Sequence, residues 1–181
     1  MPSPNARPGK RRKRRALRGF RNYKQRGEWV EFKFMAEAAA RGFRVARPLG
    51  ESARYDAVVE GDAGFQCVQV KSTDAVRDSG YCCGIANSGR APNGTRRTYS
   101  ADEVDFLAAY VIPEDAWYII PATAVGKRLW LLLYPHRATP NRHLFEQYRD
   151  GWHLLHQPVG RKRRGRTSPP AKTGRKGGAP R

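Results

Sequence analysis

The chain has 181 residues, with 35 Lys and Arg against 16 Asp and Glu, for a formal net charge of +19. This length suits one compact domain, and its apolar runs are too short for a membrane-spanning helix or a secretory signal. The three cysteines, an odd number without a Cys-x-x-Cys pair, argue against a disulfide framework or a zinc cage. These features predict a soluble, cytoplasmic protein.

The positive charge is concentrated at the two ends of the chain. Residues 1–26 contain eleven Lys and Arg and residues 159–181 contain nine, and neither segment has an acidic residue. The other 15 basic residues (35 minus 20) face all 16 acidic residues within 27–158, so the central region carries about −1. We therefore expect disordered basic tails at 1–20 and 159–181 around a domain at 21–158.

Such tails attract polyanions through an interaction that depends on salt and ignores sequence. Nucleic acid is the predicted partner, and association with the bacterial nucleoid through DNA would follow. A membrane surface is disfavoured, because neither tail interleaves its charges with a bulky apolar face. Solubility tails, localisation signals and ribosome-binding arms remain alternatives for these segments.

The first predicted element of the central region is a helix. Its apolar residues Trp29, Phe32, Met35, Ala36 and Ala39 have near-helical spacing, and Gly42 ends the pattern. A short strand at 43–46 follows. Strands at 55–60 and 65–72 are predicted to pair through the turn-forming segment 61–64.

The second half of the central region is dominated by short apolar runs separated by turn signals. These runs predict strands at 81–85, 106–112, 116–121 and 129–134. Residues 87–98 are predicted to form a flexible loop. A capping-box spacing at 100–103 predicts a helical turn at 101–105. Residues 140–149 are predicted to form a closing helix. The order of elements indicates an α/β (α+β) domain with a mixed central sheet flanked by helices.

Polar residues on the two paired strands form a candidate site. Side chains alternate in a strand, so Gln69 and Lys71 share one face while Val68 and Val70 point to the other. If the strands pair through the turn, Asp56 reaches the same place as Gln69 and Lys71. Carboxylate and amide oxygens suit Mg²⁺, or another divalent cation such as Mn²⁺. A nearby lysine can orient or deprotonate a water and stabilise charge on a phosphate.

This pattern, D-x(12)-Q-x-K on adjacent strands after a glutamate-bearing helix, resembles the PD-(D/E)XK nuclease superfamily. It is most similar to the group I intron homing endonuclease branch and related bacterial domains, in which Gln often occupies the Asp/Glu position. The resemblance covers roughly residues 25–125 and includes RGEWVEFKFMAEAAARGFRVARPLGESARYDAVVE, FQCVQVKST and YSADEVDFLAAYVIPEDAWYIIP. It implies a restriction-endonuclease-like core and metal-dependent endonuclease activity on DNA.

The resemblance also assigns roles to individual residues. Asp56 matches the metal-binding aspartate, Gln69 the second metal ligand and Lys71 the catalytic lysine, and the backbone carbonyl of Val70 would reach the metal. In place of the family's proline this chain has Tyr55. Gln69 replaces an acid, which leaves the site with one negative charge fewer.

The helix carboxylate of the family corresponds to Glu28 or Glu31. Glu31 is favoured because it lies eleven residues before Gly42, a spacing similar to that of resolvase-like members. With Glu31 as a ligand, the site would contain two anions. Without it, Asp56 would be the only one.

Further residues are candidates for contacts with nucleic acid, most simply duplex DNA. They are polar or basic and lie near the site or on the 87–98 loop: Ser52, Ser72, Thr73, Arg90, Arg96 and Arg97. The resemblance also implies a homo-oligomer, a dimer or a tetramer. Three alternatives stay open: a catalytically silent nucleic-acid-binding module, a nuclease acting on RNA or branched DNA, and a ribosome-associated protein with basic arms.

Overall fold

A computed structural model describes residues 20, 22–50, 52–86, 98–136 and 144–157. The predicted basic tails lie almost entirely outside these ranges, as do most of the predicted 87–98 loop and the start of the predicted closing helix. Within the described ranges, no helix is long and apolar enough to cross a membrane.

The first helix, α1, spans Tyr23–Ala40 and begins one turn earlier than the apolar pattern predicts. The side chain of Asn22 caps it by accepting a hydrogen bond of 2.8 Å from the backbone N–H of Gln25. The helix ends just before Gly42, as predicted. Gly42 has φ = 89°, a conformation that glycine adopts without the steric cost of a Cβ atom.

The buried face of α1 consists of Val30, Phe34 and Ala38, which are spaced four residues apart. Of the residues whose spacing predicted the helix, Trp29 and Met35 are partly buried against the same core, whereas Phe32 is 55% exposed and the alanines of that pattern are exposed as well. Tertiary contacts explain which residues are buried. Phe34 stacks against Trp152 and meets the edge of Trp117, with ring centroids 5.5 and 5.6 Å away.

The main sheet has five strands in the order β1-β2-β3-β6-β7. All neighbours are antiparallel except β3 and β6, which are parallel, so the sheet is mixed, as predicted. The chain runs directly from β2 into β3 through a tight turn. The bounds are Arg44–Ala46 for β1, Ala57–Gly61 for β2, Gly64–Thr73 for β3, Phe106–Val111 for β6 and Ala116–Pro121 for β7.

The structure contains a second, antiparallel sheet, whereas the sequence pattern predicted a single central sheet. It has the order β4-β5-β8, with β4 at Val76–Arg77, β5 at Gly80–Gly84 and β8 at Trp130–Leu133. A short helix, α2, at Ala122–Val125 precedes β8. Strands β5 and β8 were predicted individually, whereas their pairing depends on contacts between residues about 50 positions apart.

The main sheet is covered on both faces. Helix α1 and the 3₁₀ helix Trp152–His156 pack on one face, where Phe34, Val68 and Val70 belong to one core cluster. The second sheet packs on the other face and encloses a second cluster. Every residue of β6 is therefore buried, which explains why this strand is continuously apolar instead of alternating.

The predicted closing helix at 140–149 was wrong for the residues described there, which form only a 3₁₀ helix at Glu146–Tyr148. The buried carboxylate of Glu146 accepts hydrogen bonds from the hydroxyl of Tyr118 at 2.8 Å and from the backbone N–H of Tyr134 at 2.6 Å. These bonds hold the segment against the sheet.

The capping-box segment forms a hydrogen-bonded turn, as its spacing predicts. The Glu103 side chain accepts a hydrogen bond of 3.2 Å from the Ser100 N–H, and the Glu103 N–H donates to the Ser100 carbonyl at 3.0 Å. The turn stops there because the next residues enter β6.

Candidate active site

The site lies where β2 and β3 separate. Strand β2 pairs with β3 only up to the Ala57–Val68 pair, whereas β3 continues along β6 to Thr73. The edge of β3 beyond Val68 is therefore left without a strand partner on the β2 side. Asp56 precedes β2 and stays attached to β3, since its backbone N–H donates to the Val68 carbonyl at 2.9 Å.

The side chain of Asp56 fills this open edge. Its Oδ2 atom accepts a hydrogen bond of 2.8 Å from the Val70 N–H and a short one from the Gln69 side-chain amide. The same amide nitrogen lies 3.4 Å from the Val70 carbonyl oxygen. Both backbone polar groups of Val70 thus face the side chains of Asp56 and Gln69.

Gln69 and Lys71 point toward the face of the main sheet that the second sheet covers. They are in register with Leu107 and Ala109 of β6, which belong to the core cluster under that sheet. Gln69 is only 4% exposed as a result. The ammonium nitrogen of Lys71 lies 5.6 Å from the ring centroid of Tyr99, which is within range of a cation–π interaction.

Glu31 is the acidic residue of α1 that interacts with Asp56. Burial and the negative charge of Asp56 raise the pKa of Glu31, while the positive charges of Arg47 and Lys71 lower it. Glu28 is exposed and contributes only the smallest influence on Glu31. The structure therefore brings Glu31 to the site and leaves Glu28 at its margin.

Burial also raises the pKa of Asp56, against the opposing effects of Lys71, the Val70 N–H and Arg47. Desolvation penalises an ionised carboxylate, and a second carboxylate nearby adds to the penalty. Negative charge on Asp56 and on Glu31 is therefore costly in the folded protein. Perturbed carboxylates of this kind cluster at functional sites.

The donor set fits a hard divalent cation. In the described part of the chain, no group of three or more His, Cys, Asp or Glu residues is placed to hold a metal ion, so a cation here would need donors besides these side chains. Two carboxylates, the Val70 carbonyl and the Gln69 amide provide oxygen, which suits Mg²⁺ or Mn²⁺. Gln69 directs its NH₂ group toward Asp56, and a half-turn of the amide would present its oxygen.

The residues predicted to contact nucleic acid fall in different environments. Ser52 is exposed and Ser72 is half-buried. Thr73 is 3% exposed, and its hydroxyl donates to the Cys82 carbonyl at 2.7 Å. The hydroxyl of Thr73 thus ties β3 to β5, which corrects its predicted role as a phosphate contact. Three predicted residues lie outside the described ranges, namely Arg90, Arg96 and Arg97.

One buried acid that supports the site received no role from its sequence position. Asp105 is 3% exposed, and its carboxylate accepts a hydrogen bond of 2.7 Å from the Cys67 N–H. Its own N–H donates to the Cys67 carbonyl at 2.8 Å, and its carbonyl accepts from Ala122 at 2.9 Å. Asp105 thus positions β3 against β6 two residues before Gln69. The sequence signal for it is an acid at the start of a continuous apolar run.

Taken together, a mixed sheet with α1 on one face and a carboxylate–amide–lysine cluster where two strands diverge defines a restriction-endonuclease-like nuclease domain. Residues 21–155 match the family model described as PD-(D/E)XK endonuclease, and the chain belongs to that family. The predicted family is confirmed.

Comparison with solved structures supports the same fold. A bacterial homing endonuclease, I-Ssp6803I, superposes with a TM-score of 0.62 and 24% sequence identity, over 75% of this chain and 93% of that one. No curated protein matches the sequence.

Proposed function

We propose that this nuclease is a metal-dependent endonuclease that hydrolyses phosphodiester bonds in DNA. Glu31, Asp56, Gln69 and the Val70 carbonyl hold Mg²⁺ or Mn²⁺, and Lys71 assists the attacking water. The observation that carries the proposal is the convergence of Asp56, Gln69 and Val70 on the open edge of β3, with the charges of Asp56 and Lys71 acting on the Glu31 carboxylate.

A divalent cation bound there supplies Lewis-acid polarisation of the phosphate and a lowered pKa for a bound water. The protein groups do the rest. The Val70 N–H fixes the orientation of the Asp56 carboxylate, and Glu31 reaches the site from α1. The Lys71 ammonium, beside the Tyr99 ring, positions the attacking water or offsets charge that develops on the phosphate.

The same proposal gives DNA contacts to the surroundings of the site. Ser52, four residues before Asp56, and Ser72, directly after Lys71, would bind phosphate oxygens. The 87–98 arginines would reach backbone or base edges. The basic ends of the chain would raise the local concentration of duplex DNA without selecting a sequence. A symmetric dimer or tetramer would place two such sites on the two strands of a duplex.

Plasmid nicking tests the catalytic assignment. We expect the wild-type protein to nick supercoiled plasmid in Mg²⁺ or Mn²⁺ and to stop in EDTA. Asp56→Ala and Lys71→Ala should each lower the rate by at least about a hundredfold, as is common when a group that stabilises the transition state is removed.

Two matched variants serve as controls for loss of charge alone. Asp62→Ala removes an exposed carboxylate and Lys127→Ala an exposed amine, and both should keep wild-type rates. Equal nicking by all five proteins would contradict the proposal and favour a silent nucleic-acid-binding module. A panel of linear duplex, junction, hairpin and RNA substrates then distinguishes duplex DNA from branched DNA or RNA.

A further inference from the structure

Arg47 lies beside the carboxylates of the site, although no sequence motif assigns it a role. It is the first residue after β1, and its Nη2 atom is 3.5 Å from the Glu31 carboxylate. This distance is longer than the roughly 2.7–2.9 Å of a close charge-assisted hydrogen bond. The Arg47 side chain is 50% exposed. The guanidinium is thus held near Glu31 by charge and remains open to solvent on its other side.

The guanidinium also has a second support. Its Cζ atom lies 5.5 Å from the ring centroid of Phe32, which is within range of a cation–π interaction. Phe32 neighbours Glu31 on α1 and is largely exposed. Arg47 therefore keeps a contact with α1 when its contact with Glu31 is broken.

A count of charges indicates why Arg47 is there. Without a metal ion, the carboxylates of Glu31 and Asp56 are balanced by Lys71 and Arg47, and the sum is zero. Arg47 acts on both carboxylates, since its charge lowers the pKa of each. When a divalent cation joins the four groups, the sum becomes +2, and Arg47 and the cation compete for the same carboxylates.

The positive charge of the site with a bound divalent cation is opposite in sign to that of a nucleic acid backbone. A phosphodiester carries −1, and attack by hydroxide adds a second negative charge to the phosphoryl group. The planar fork of a guanidinium is suited to two oxygens of a phosphate. Arg47 then has an anionic partner at the moment when the cation weakens its hold on Glu31.

We propose that Arg47 balances the carboxylates of the metal-free site and becomes a phosphate-binding residue when a divalent cation occupies that site. This inference rests on the proposed function, since it presumes a cation held by Glu31 and Asp56. The alternative is an ordinary surface ion pair that holds a loop.

The chain contains such an ordinary pair for comparison. Arg44 of β1 lies 3.3 Å from Glu60, and its side chain is 85% exposed. It is three residues from Arg47 and carries the same charge, yet it is not among the groups that influence Glu31 or Asp56. Arg44→Gln is therefore a matched control for Arg47→Gln.

The first measurement is Mn²⁺ binding by calorimetry in the absence of nucleic acid. We expect Arg47→Gln to bind Mn²⁺ about two- to fivefold more tightly than wild type, the size of effect expected when a half-exposed ion pair is removed. Arg44→Gln and Arg47→Lys should bind as wild type does. In a Glu31→Gln background, Arg47→Gln should lose most of its effect, because the paired carboxylate is gone.

The second measurement is cleavage of a short DNA duplex at saturating Mn²⁺. We expect Arg47→Gln to lose activity by on the order of tenfold or more, as a lost contact to a charged phosphate predicts, while Arg44→Gln keeps it. Tighter metal binding combined with slower cleavage is a result that general damage to the fold does not produce.

Other outcomes overturn the inference. Unchanged or weaker Mn²⁺ binding by Arg47→Gln, in a protein whose wild type binds the ion, refutes the charge-balancing role and leaves the proposed nuclease function intact. Tighter binding with wild-type cleavage refutes the phosphate-binding role. A wild-type protein that binds no Mn²⁺ refutes the proposed function itself, and the inference with it.

Discussion

Asp56 occupies a position where its negative charge costs folding free energy in the absence of a cation. Burial is the main reason that its pKa lies above the ordinary value of 3.8. A raised carboxyl pKa means that the folded state holds the proton more tightly than the unfolded state. The tighter binding of this proton stabilises the folded protein fully at pH values below the pKa that Asp56 has in the unfolded state. This stabilisation is lost as the pH rises through the pKa that Asp56 has in the folded state. Glu31 behaves in the same sense.

From this we predict that Asp56→Asn stabilises the metal-free protein at pH 7. The Asn oxygen is able to accept the same hydrogen bond from the Val70 N–H, and the desolvated charge is gone. The gain should be on the order of 1 kcal/mol, or about 2–4 °C in Tm for a protein of this size. Thermal unfolding in EDTA at pH 4 and pH 7 measures it, and the difference between the variants should shrink at pH 4.

Adding Mn²⁺ provides the complementary test of the same residue. A ligand that binds only the folded state raises its stability, so wild-type Tm should rise with Mn²⁺ while that of Asp56→Asn changes little. A lower Tm for Asp56→Asn in EDTA at both pH values would show that the carboxylate is a structural group and not a strained site residue.

At the scale of elements, α1 is held on the main sheet by aromatic packing. Phe34 is fully buried between Trp117 and Trp152, while Phe32, two residues earlier, is largely exposed. We predict that Phe34→Ala lowers the free energy of unfolding by about 3–5 kcal/mol, the usual cost of emptying a buried aromatic site.

Phe32→Ala, with the same chemical change, should cost less than about 1 kcal/mol because little buried surface is lost. Urea denaturation of both variants compares them directly. Similar losses for the two variants would mean that α1 presents a different face to the sheet.

Gly61, at the end of β2, has a packing role in addition to its role in the predicted turn. Gly61 belongs to the turn-forming segment 61–64, but a Cβ atom there would lie 2.0 Å from the carbonyl oxygen of Leu155. The 3₁₀ helix Trp152–His156 thus packs directly on the backbone of β2. Because the obstacle is backbone and not a flexible side chain, the structure has little room to adapt.

We predict that Gly61→Ala destabilises the protein by about 1–3 kcal/mol through overpacking. Gly27→Ala, inside α1 where an added Cβ meets nothing within 4 Å, should instead stabilise it by about 0.5–1 kcal/mol through helix propensity. Chemical denaturation gives both values. A neutral Gly61→Ala would indicate that Trp152–His156 does not contact β2 in solution.

At the scale of the whole molecule, the second sheet determines the environment of the site. It covers the face of the main sheet toward which Gln69 and Lys71 point, so residues that a lone hairpin would expose are shielded from bulk water. A low local dielectric strengthens electrostatic interactions inside such a site. The nuclease core therefore depends on β5 and β8 even though neither strand supplies a proposed ligand.

The charge of the chain as a whole leads to a prediction about salt. Removing residues 159–181 takes away nine Lys and Arg and leaves the described contacts intact, including the hydrogen bond of 2.8 Å from Gln66 to the Gln157 carbonyl. DNA affinity should fall and depend less steeply on salt. Each phosphate that the protein neutralises adds about 0.9 to the slope of the logarithm of the binding constant against the logarithm of the salt concentration.

The cleavage rate at saturating DNA should be unchanged by this truncation, because the proposed site lies elsewhere. Fluorescence anisotropy at 50 and 200 mM salt measures the slope. An identical slope for the full and truncated chains would show that the C-terminal segment does not contact DNA.

Much of the fold was predictable because its signals are local. The stop of α1 at Gly42, the β2–β3 hairpin and the burial of Val68 and Val70 follow from turn chemistry and alternation along a strand. The same alternation placed Gln69 and Lys71 on one face. Pairing across a short turn brought Asp56 to them, since the register of a tight hairpin leaves few alternatives.

Contacts between distant segments decided the rest. The buried face of α1 depends on Trp117 and Trp152, which are far along the chain. The second sheet binds the Thr73 hydroxyl, which the sequence left available for phosphate. Asp105 and Arg47 gain their roles from neighbours that no local pattern specifies. Sequence alone determined which chemical groups this nuclease has, whereas their burial, partners and charge balance required segments that meet only in the folded chain.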